Sequence, residues 1–315
     1  MVIIMNVLLV FRWGHSSLFS ATLMMLAAVT FALVVATATA SAGAGDGEVP
    51  HVRPARGDRT FSSPAINALI EQLTPLFKDE NMATLFSNCL PNSLDTTILH
   101  HTTDPLDSFV ITGDIEAMWL RDSTNQLIPY VPYASQDSKL AALLEGLIAR
   151  QARSVIIDPF ANAFNYNASG EGHQTDNRYP PMGPAVFEGK YEIDSISAFL
   201  KVSYWYWKYT DVTSFMTDEW FEGVTKVLDT IDVMIETDGE TPTVPYYFQR
   251  LTQVATDTLM ISGRGPPAKK CGLTRSLFRP SDDSVTLPYN IPGNAMACTE
   301  LVHLQELLSK TKLGM

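Results

Sequence analysis

Carboxylates, arginines, asparagines and aromatic side chains gather in four segments of this 315-residue chain, each at a loop or a loop-to-helix junction. The first runs from Thr112 to Ser123. Within it Trp119 offers an apolar face for a sugar ring, and Arg121 and Asp122 offer a donor and an acceptor for its hydroxyls. The same stretch has a structural use, since Asp122 or Ser123 suits the N-cap of a helix opening at Thr124. The second segment, Asp158 to Asn165, sets Asn162 and Asn165 among small and aromatic residues, a pattern that serves a turn as well as a ligand. The third, Glu188 to Ser195, places Glu192 and Asp194 beside Tyr191; acids at a helix start are favoured by the macrodipole, so Asp194 reads either as a cap or as a proton donor. The fourth, Phe278 to Asp283, carries Arg279, Ser281, Asp282 and Asp283. Adjacent acids face different ways in most backbone conformations, so one of Asp282 and Asp283 at most meets a ligand.

The elements that must hold these segments are mainly helical. Ser63-Pro64 opens a helix to about Lys78, with Ile66, Leu69, Ile70 and Leu73 at helical spacing. Asp137 opens a second through Leu140, Leu143, Leu144, Leu147 and Ile148, and Thr217-Asp218-Glu219 a third from Trp220 to Ile235. Two more span Asp194 to Tyr209 and Asn294 to Leu308, the last with Ala297, Leu301, Leu304 and Leu308 on one stripe. Strand signals are short: 96–101 and 108–112 flank Asp104-Pro105 and pair in expectation, and 244–251 is rich in Tyr and Phe. Helices separated by long, functional-looking loops suggest stacked helical hairpins in one domain.

Composition narrows the class. Hydrophobic residues at 46% and charged residues at 18% fit a globular chain, and a net charge of −12 argues against a nucleic-acid partner, which needs a basic footprint. A neutral sugar is indifferent to that charge. Arg12 and His15 precede an apolar run from Leu18 to Ala36, followed by small residues to Ala44, so residues 1–42 read as a secretory leader or an uncleaved membrane anchor and 43–60 as a linker before a domain at 61–315. Both place the body in the secretory pathway, lumenal or secreted. Cys89, Cys271 and Cys298 lack paired spacing for a zinc site and leave room for one disulfide and one free thiol. Asn167-Ala168-Ser169 is a sequon for N-glycosylation at Asn167.

Taken together, Asn88 to Thr97, Thr112 to Ser123, Asp158 to Asn165, Lys190 to Ser195 and Arg279 to Asp283 resemble glycoside hydrolase family 125, in the family's order and across Phe61 to Leu308. The resemblance implies an all-α (α/α)6 toroid, a ring of helical hairpins with short local β-hairpins and the site at one end. It implies metal-independent, inverting removal of terminal α-1,6-linked mannose from a mannose-containing glycan, with no cofactor. It also implies that Asp194 is the general acid, with Trp119, Arg121, Asp122, Asn162, Asn165, Tyr191, Glu192, Arg279, Ser281 and Asp282 around the substrate. An inverting enzyme sets acid and base about 6.5–9.5 Å apart, and burial beside Tyr191 or a neighbouring Glu192 would keep the acid protonated. In the family the base is a glutamate well C-terminal to Asp283. The expectation is therefore a chain with no base of its own, an open ring and an exposed Leu301/Leu304/Leu308 stripe. A catalytically silent glycan-binding module and a helical scaffold are the alternatives; convergence of Trp119, Arg121 and Asp194 on one pocket would exclude the scaffold.

Overall fold

The computed structural model describes residues 47–236 and 245–311. The leader at 1–42 lies outside the described residues. The helices are α1 (Pro64–Leu73), α2 (Glu80–Cys89), α3 (Asn92–Thr96), α4 (Leu120–Leu127), α5 (Ser138–Ile157), α6 (Ile193–Thr210), α7 (Asp218–Glu236) and α8 (Ile291–Lys310). Short strands fill the connections: β1 (Ile98–Thr103), β2 (Leu106–Val110), β3 (Met118–Trp119), β4 (Ala163–Phe164), β5 (Asn177–Tyr179), β6 (Val186–Glu188) and β7 (Tyr247–Gln249).

Capping chemistry fixes where the main helices begin. The Ile66 amide donates to Ser63 Oγ, and the Ser63 hydroxyl donates to Asp137 Oδ2 at 2.5 Å. Asp137 Oδ1 accepts from the Lys139 and Leu140 amides, so one buried contact joins the starts of α1 and α5. α1 stops at Leu73, short of Lys78, because Pro75 turns the next residues into a 3-10 segment. α4 starts at Leu120, four residues before the expected start at Thr124. Trp119 is its N-cap residue, and Ser123 sits inside the first turns with its hydroxyl returned to the Trp119 carbonyl at 2.7 Å.

α6 runs through the middle of the core and is buried along nearly its whole length, from Ile193 to Trp207. It packs on α4 and α8, while α5 packs on α7 and on the β1–β2 hairpin. Two glycines permit these approaches. A Cβ at Gly223 would stand 3.3 Å from the Ala152 Cα, bringing α7 against α5; one at Gly146 would press on the Ser108 hydroxyl and lie 2.9 Å from the Asp107 carbonyl carbon. The Trp220 indole donates to Ser203 Oγ at 3.0 Å, satisfying the one polar atom of a fully buried ring.

The expected hairpin forms across the Asp104–Pro105 bond, pairing Thr103 with Leu106 and His101 with Ser108. Beyond it, β3, β4 and β6 make a three-stranded sheet and β5 pairs with β7. That small sheet holds together the loops that carry the first three chemical segments.

Two expectations need correction. The three cysteines form no disulfide; all are free and exposed. The α8 stripe is not left open, since Leu304 and Leu307 are buried against α6 and Leu301 and Leu308 pack half-buried on the same core. Within 43–60, the end of the linker is fastened: Arg53 Nε reaches Asp95 Oδ2 at 2.6 Å and Arg59 lies 3.6 Å from the same carboxylate, drawing this stretch into the unit His51–Met315. Among the described residues, no helix is long and apolar enough to cross a membrane.

Candidate active site

Arg121, in the first turn of α4, is the centre of the site. Its Nη1 donates to Glu192 Oε2 at 2.6 Å and to Asp194 Oδ2 at 3.1 Å; its Nη2 faces Asp122 Oδ2 at 3.2 Å and Asp282 Oδ1 at 3.4 Å. One cation thus stands among four carboxylates from three separate parts of the chain. Glu192 and Asp194 are buried at the base of the cluster, whereas the Asp122 and Asp282 side chains remain 36% exposed and form its open side.

Local structure explains each position. Glu192 is the residue before α6, with its carboxylate accepting from the Ser195 hydroxyl at 2.8 Å in the first turn. Asp194 lies in that turn, where the N-terminal amides favour an acid. Asp282 takes a left-handed backbone, φ 60°, in a turn closed by its amide on the Arg279 carbonyl. That turn aims Asp282 at Arg121 and Asp283 outward, to Arg279 and the Ser281 hydroxyl. The side chains of Arg279 and Ser281 are exposed and bond Asp283, so of the fourth segment Asp282 is the residue that enters the cluster.

Asn162 ties the acids together. Fully buried, its amide nitrogen faces Glu188 Oε2 at 3.0 Å, Asp282 Oδ1 at 3.4 Å and Glu192 Oε1 at 3.5 Å, and its oxygen accepts from the Lys190 amide. Asn165 does something else. Its amide donates to the carbonyls of Glu171, Pro184 and Val186, stapling the loop behind β4 without entering the cluster. Tyr191 is walled in by Phe160 and Tyr246 and forms the apolar backing. Trp119 borders the cluster through its pairing with Ala163, but its ring is buried and packed on Phe187, so it offers no open face here. Of the three residues whose convergence was to exclude a scaffold, Arg121 and Asp194 meet and Trp119 stands at the edge.

Next to this cluster is a second set of charges that the sequence alone left unassigned. Glu188 Oε1 receives Arg250 Nη2 at 3.0 Å and Lys190 Nζ at 3.3 Å; Lys190 also reaches Asp257 at 2.7 Å and the Asp282 carbonyl at 2.9 Å. Arg250 is completed by Asp176 at 2.7 Å. Glu188 and Lys190 stand inside the third segment and could have been drawn from it, whereas Arg250, Asp176 and Asp257 carry no local pattern. This network supports Asp282 from behind and orients Asn162.

Burial dominates the electrostatics. Desolvation raises the pKa of Asp194 against the pull of Arg121, and that of Glu192 further, with Asp282 and Asp194 adding like-charge repulsion. Asp122 is also raised by burial, opposed by Arg121. Burial works against the Arg121 charge, but the surrounding carboxylates, Glu192 foremost, outweigh it. The cluster therefore retains protons above the ordinary carboxyl range. Among the described residues, no group of three or more His, Cys, Asp or Glu side chains is arranged to hold a metal ion, and the Arg121 guanidinium occupies the middle of its four carboxylates.

A buried acid beside a fixed cation, with two half-exposed carboxylates on the open side, is suited to protonating a glycosidic oxygen. Residues 79–314 match the profile of the metal-independent α-mannosidases, glycoside hydrolase family 125. The chain belongs to that family. It is 43% identical over 274 residues to the meiotically up-regulated gene 157 protein of Schizosaccharomyces pombe, covering 82% of this chain and 54% of that protein. It is also similar to a solved metal-independent α-mannosidase of Streptococcus pneumoniae, in a non-productive complex with α-1,6-mannobiose, with TM-score 0.73 and 34% identity over 79% of this chain and 57% of that one. The chain spans about half the length of these relatives. Family 125 membership brings with it the six-hairpin glycosidase fold, of which α4 to α8 supply the helical hairpins that carry the cluster.

Proposed function

We propose that this family 125 chain supports inverting hydrolysis of a terminal α-1,6-linked mannose, with Asp194 as general acid. The observation that carries the reading is the Arg121 contact to Asp194 Oδ2. It orients the carboxyl while burial keeps it able to hold a proton, and Oδ1 is left without a hydrogen-bonding side chain. In the reaction Asp194 gives its proton to the leaving oxygen, so the departing sugar leaves as a neutral alcohol. A water attacks the opposite face, and positive charge building on the ring meets the acidic surroundings of Asp122 and Asp282. Water activation is given to no residue of this cluster; by the family resemblance it belongs to a glutamate C-terminal to Asp283. Asp122 and Asp282, on the open side of the cluster, are read as the groups that bind hydroxyls, with buried Asn162 holding Asp282 in position.

A neutral mannose-containing glycan is the substrate class this reading takes, in the secretory lumen, with residues 1–42 as leader or anchor. Asn167, exposed in the loop after β4, is proposed to carry an N-glycan there. The test is a family-length version with α-1,6-mannobiose, followed by NMR from the first seconds. β-Mannose should form first, unaffected by a chelator; α-mannose first, or a need for a divalent ion, overturns the reading. Binding without turnover would favour the alternative, a silent glycan-binding module.

A further inference from the structure

Two buried carboxyls share Arg121, and the structure gives them unequal company. Both accept from the same Nη1, so Glu192 Oε2 and Asp194 Oδ2 lie within the roughly 6 Å range at which one charge raises the other's pKa. Glu192 is supplied with donors on both oxygens: Arg121 at 2.6 Å and the Ser195 hydroxyl at 2.8 Å on Oε2, and the Asn162 amide at 3.5 Å on Oε1. Asp194 receives Arg121 at the longer 3.1 Å on Oδ2 and a bond from its own backbone amide, and its buried Oδ1 has no side-chain donor. Hydrogen bonds donated to a carboxyl favour its charged form. The remaining groups facing the pair are Asp282 and, beyond it, Asp122, which repel a second negative charge, with Tyr191 behind Asp194. Lys190 turns its ammonium away, to Asp257 and the Asp282 carbonyl.

We propose that Ser195 and Asn162 make Glu192 the anion of the pair, and that the charge so fixed keeps the proton on Asp194 Oδ1. Glu192 and Ser195 are then positioning residues for the acid, acting through charge and not through contact with the glycosidic oxygen. This rests on Asp194 being the acid, but the location of the proton is a separate quantity. Burial and the neighbouring Asp282 raise Glu192 further than Asp194 and act against this assignment; the donors on both Glu192 oxygens act for it, and the balance of the two sets which carboxyl holds the proton.

The test is a carboxyl-carbon NMR titration of the chain labelled at aspartate Cγ, with the Asp194 signal assigned by its loss in Asp194→Asn. In the unaltered chain Asp194 should titrate above the ordinary aspartate range. In Glu192→Gln its midpoint should fall by about 1 pH unit or more, because a negative neighbour is gone. Ser195→Ala should move it the same way by less, and serves if Glu192→Gln does not fold. An Asp194 midpoint unmoved in a folded variant sinks the proposal, as does a glutamate Cδ titration showing Glu192 neutral while Asp194 is charged. If Asp194 holds its proton as described and Asp194→Asn still hydrolyses α-1,6-mannobiose in a family-length version, the acid role fails and the proton placement stands.

Discussion

Arg121 and Glu192 are 71 residues apart in sequence and 2.6 Å apart in space, and that bond sets a cation from the first turn of α4 against the residue that opens α6. It is the shortest of the four carboxylate contacts Arg121 makes.

Removing the guanidinium should therefore be costly. Arg121→Ala leaves Glu192 buried without its cation, a loss of about 3–5 kcal/mol. Arg121→Lys should recover only part, because a point charge cannot serve two carboxylates on one nitrogen and two on the other. Urea unfolding of both variants measures this; an Arg121→Ala midpoint equal to the unaltered chain's would mean the cluster contributes nothing to folding.

Stability should also depend on pH through Asp194. Its folded-state pKa is raised, mainly by burial, so the native chain binds more protons than the unfolded one between the ordinary aspartate value of about 4 and the raised one. Stability drawn from this group is present below that window and declines as pH rises through it. Asp194→Asn lacks the decline. The stability of Asp194→Asn relative to the unaltered chain should thus improve from about pH 4 towards neutrality, and a constant difference across that range would refute it.

Asn162 joins two charged networks through one amide. Asn162→Ala removes the donor to Glu188 and leaves the Lys190 amide without its acceptor, costing about 1–3 kcal/mol. Asn162→Asp should cost more, since it places another carboxylate against Glu188, Glu192 and Asp282. Thermal melts of the two variants at neutral pH give the order, and the order reverses if Asn162 merely fills space.

A fold prediction concerns Gly146. Its Cβ position is taken by the Ser108 side chain and the backbone of β2, so Gly146→Ala must push the hairpin off α5 at about 1–3 kcal/mol. A Gly146→Ala, Ser108→Gly double variant should regain part of the loss, and calorimetry reads both.

How much of this could be read beforehand varies with the physics of each part. Asp137 and Ser63 announced two helix starts because caps are local, and the α6 and α7 spacings were regular enough to place both helices. Arg121, Glu192, Asp194 and Asp282 stood out as residue types in short motifs, and the fold brings all four together. What the motifs could not supply was direction. Trp119 looked like an open platform, yet Phe187, from a distant strand, covers it; Asn165 looked like a ligand group, yet it fills three carbonyl valences of its own loop. Arg250 was invisible for a similar reason, since its partner Asp176 lies across the β5–β7 pairing and Glu188 comes from β6 of the other sheet, and no short pattern encodes that. The α8 stripe erred the other way, because the amphipathic pattern marked an apolar face without saying that α6 already covers it.

The hydroxyl of Ser63 on Asp137 bears on how far the chain can be shortened. Shaving residues up to Ser63 would leave the α5 cap with an unsolvated anion where its buried partner had been, so damage would be felt at a helix that begins 75 positions later than the cut. A deletion series read by protease resistance should then break abruptly at this serine, and the effective edge of the folded body is set by an electrostatic obligation of the interior and not by the first turn of α1.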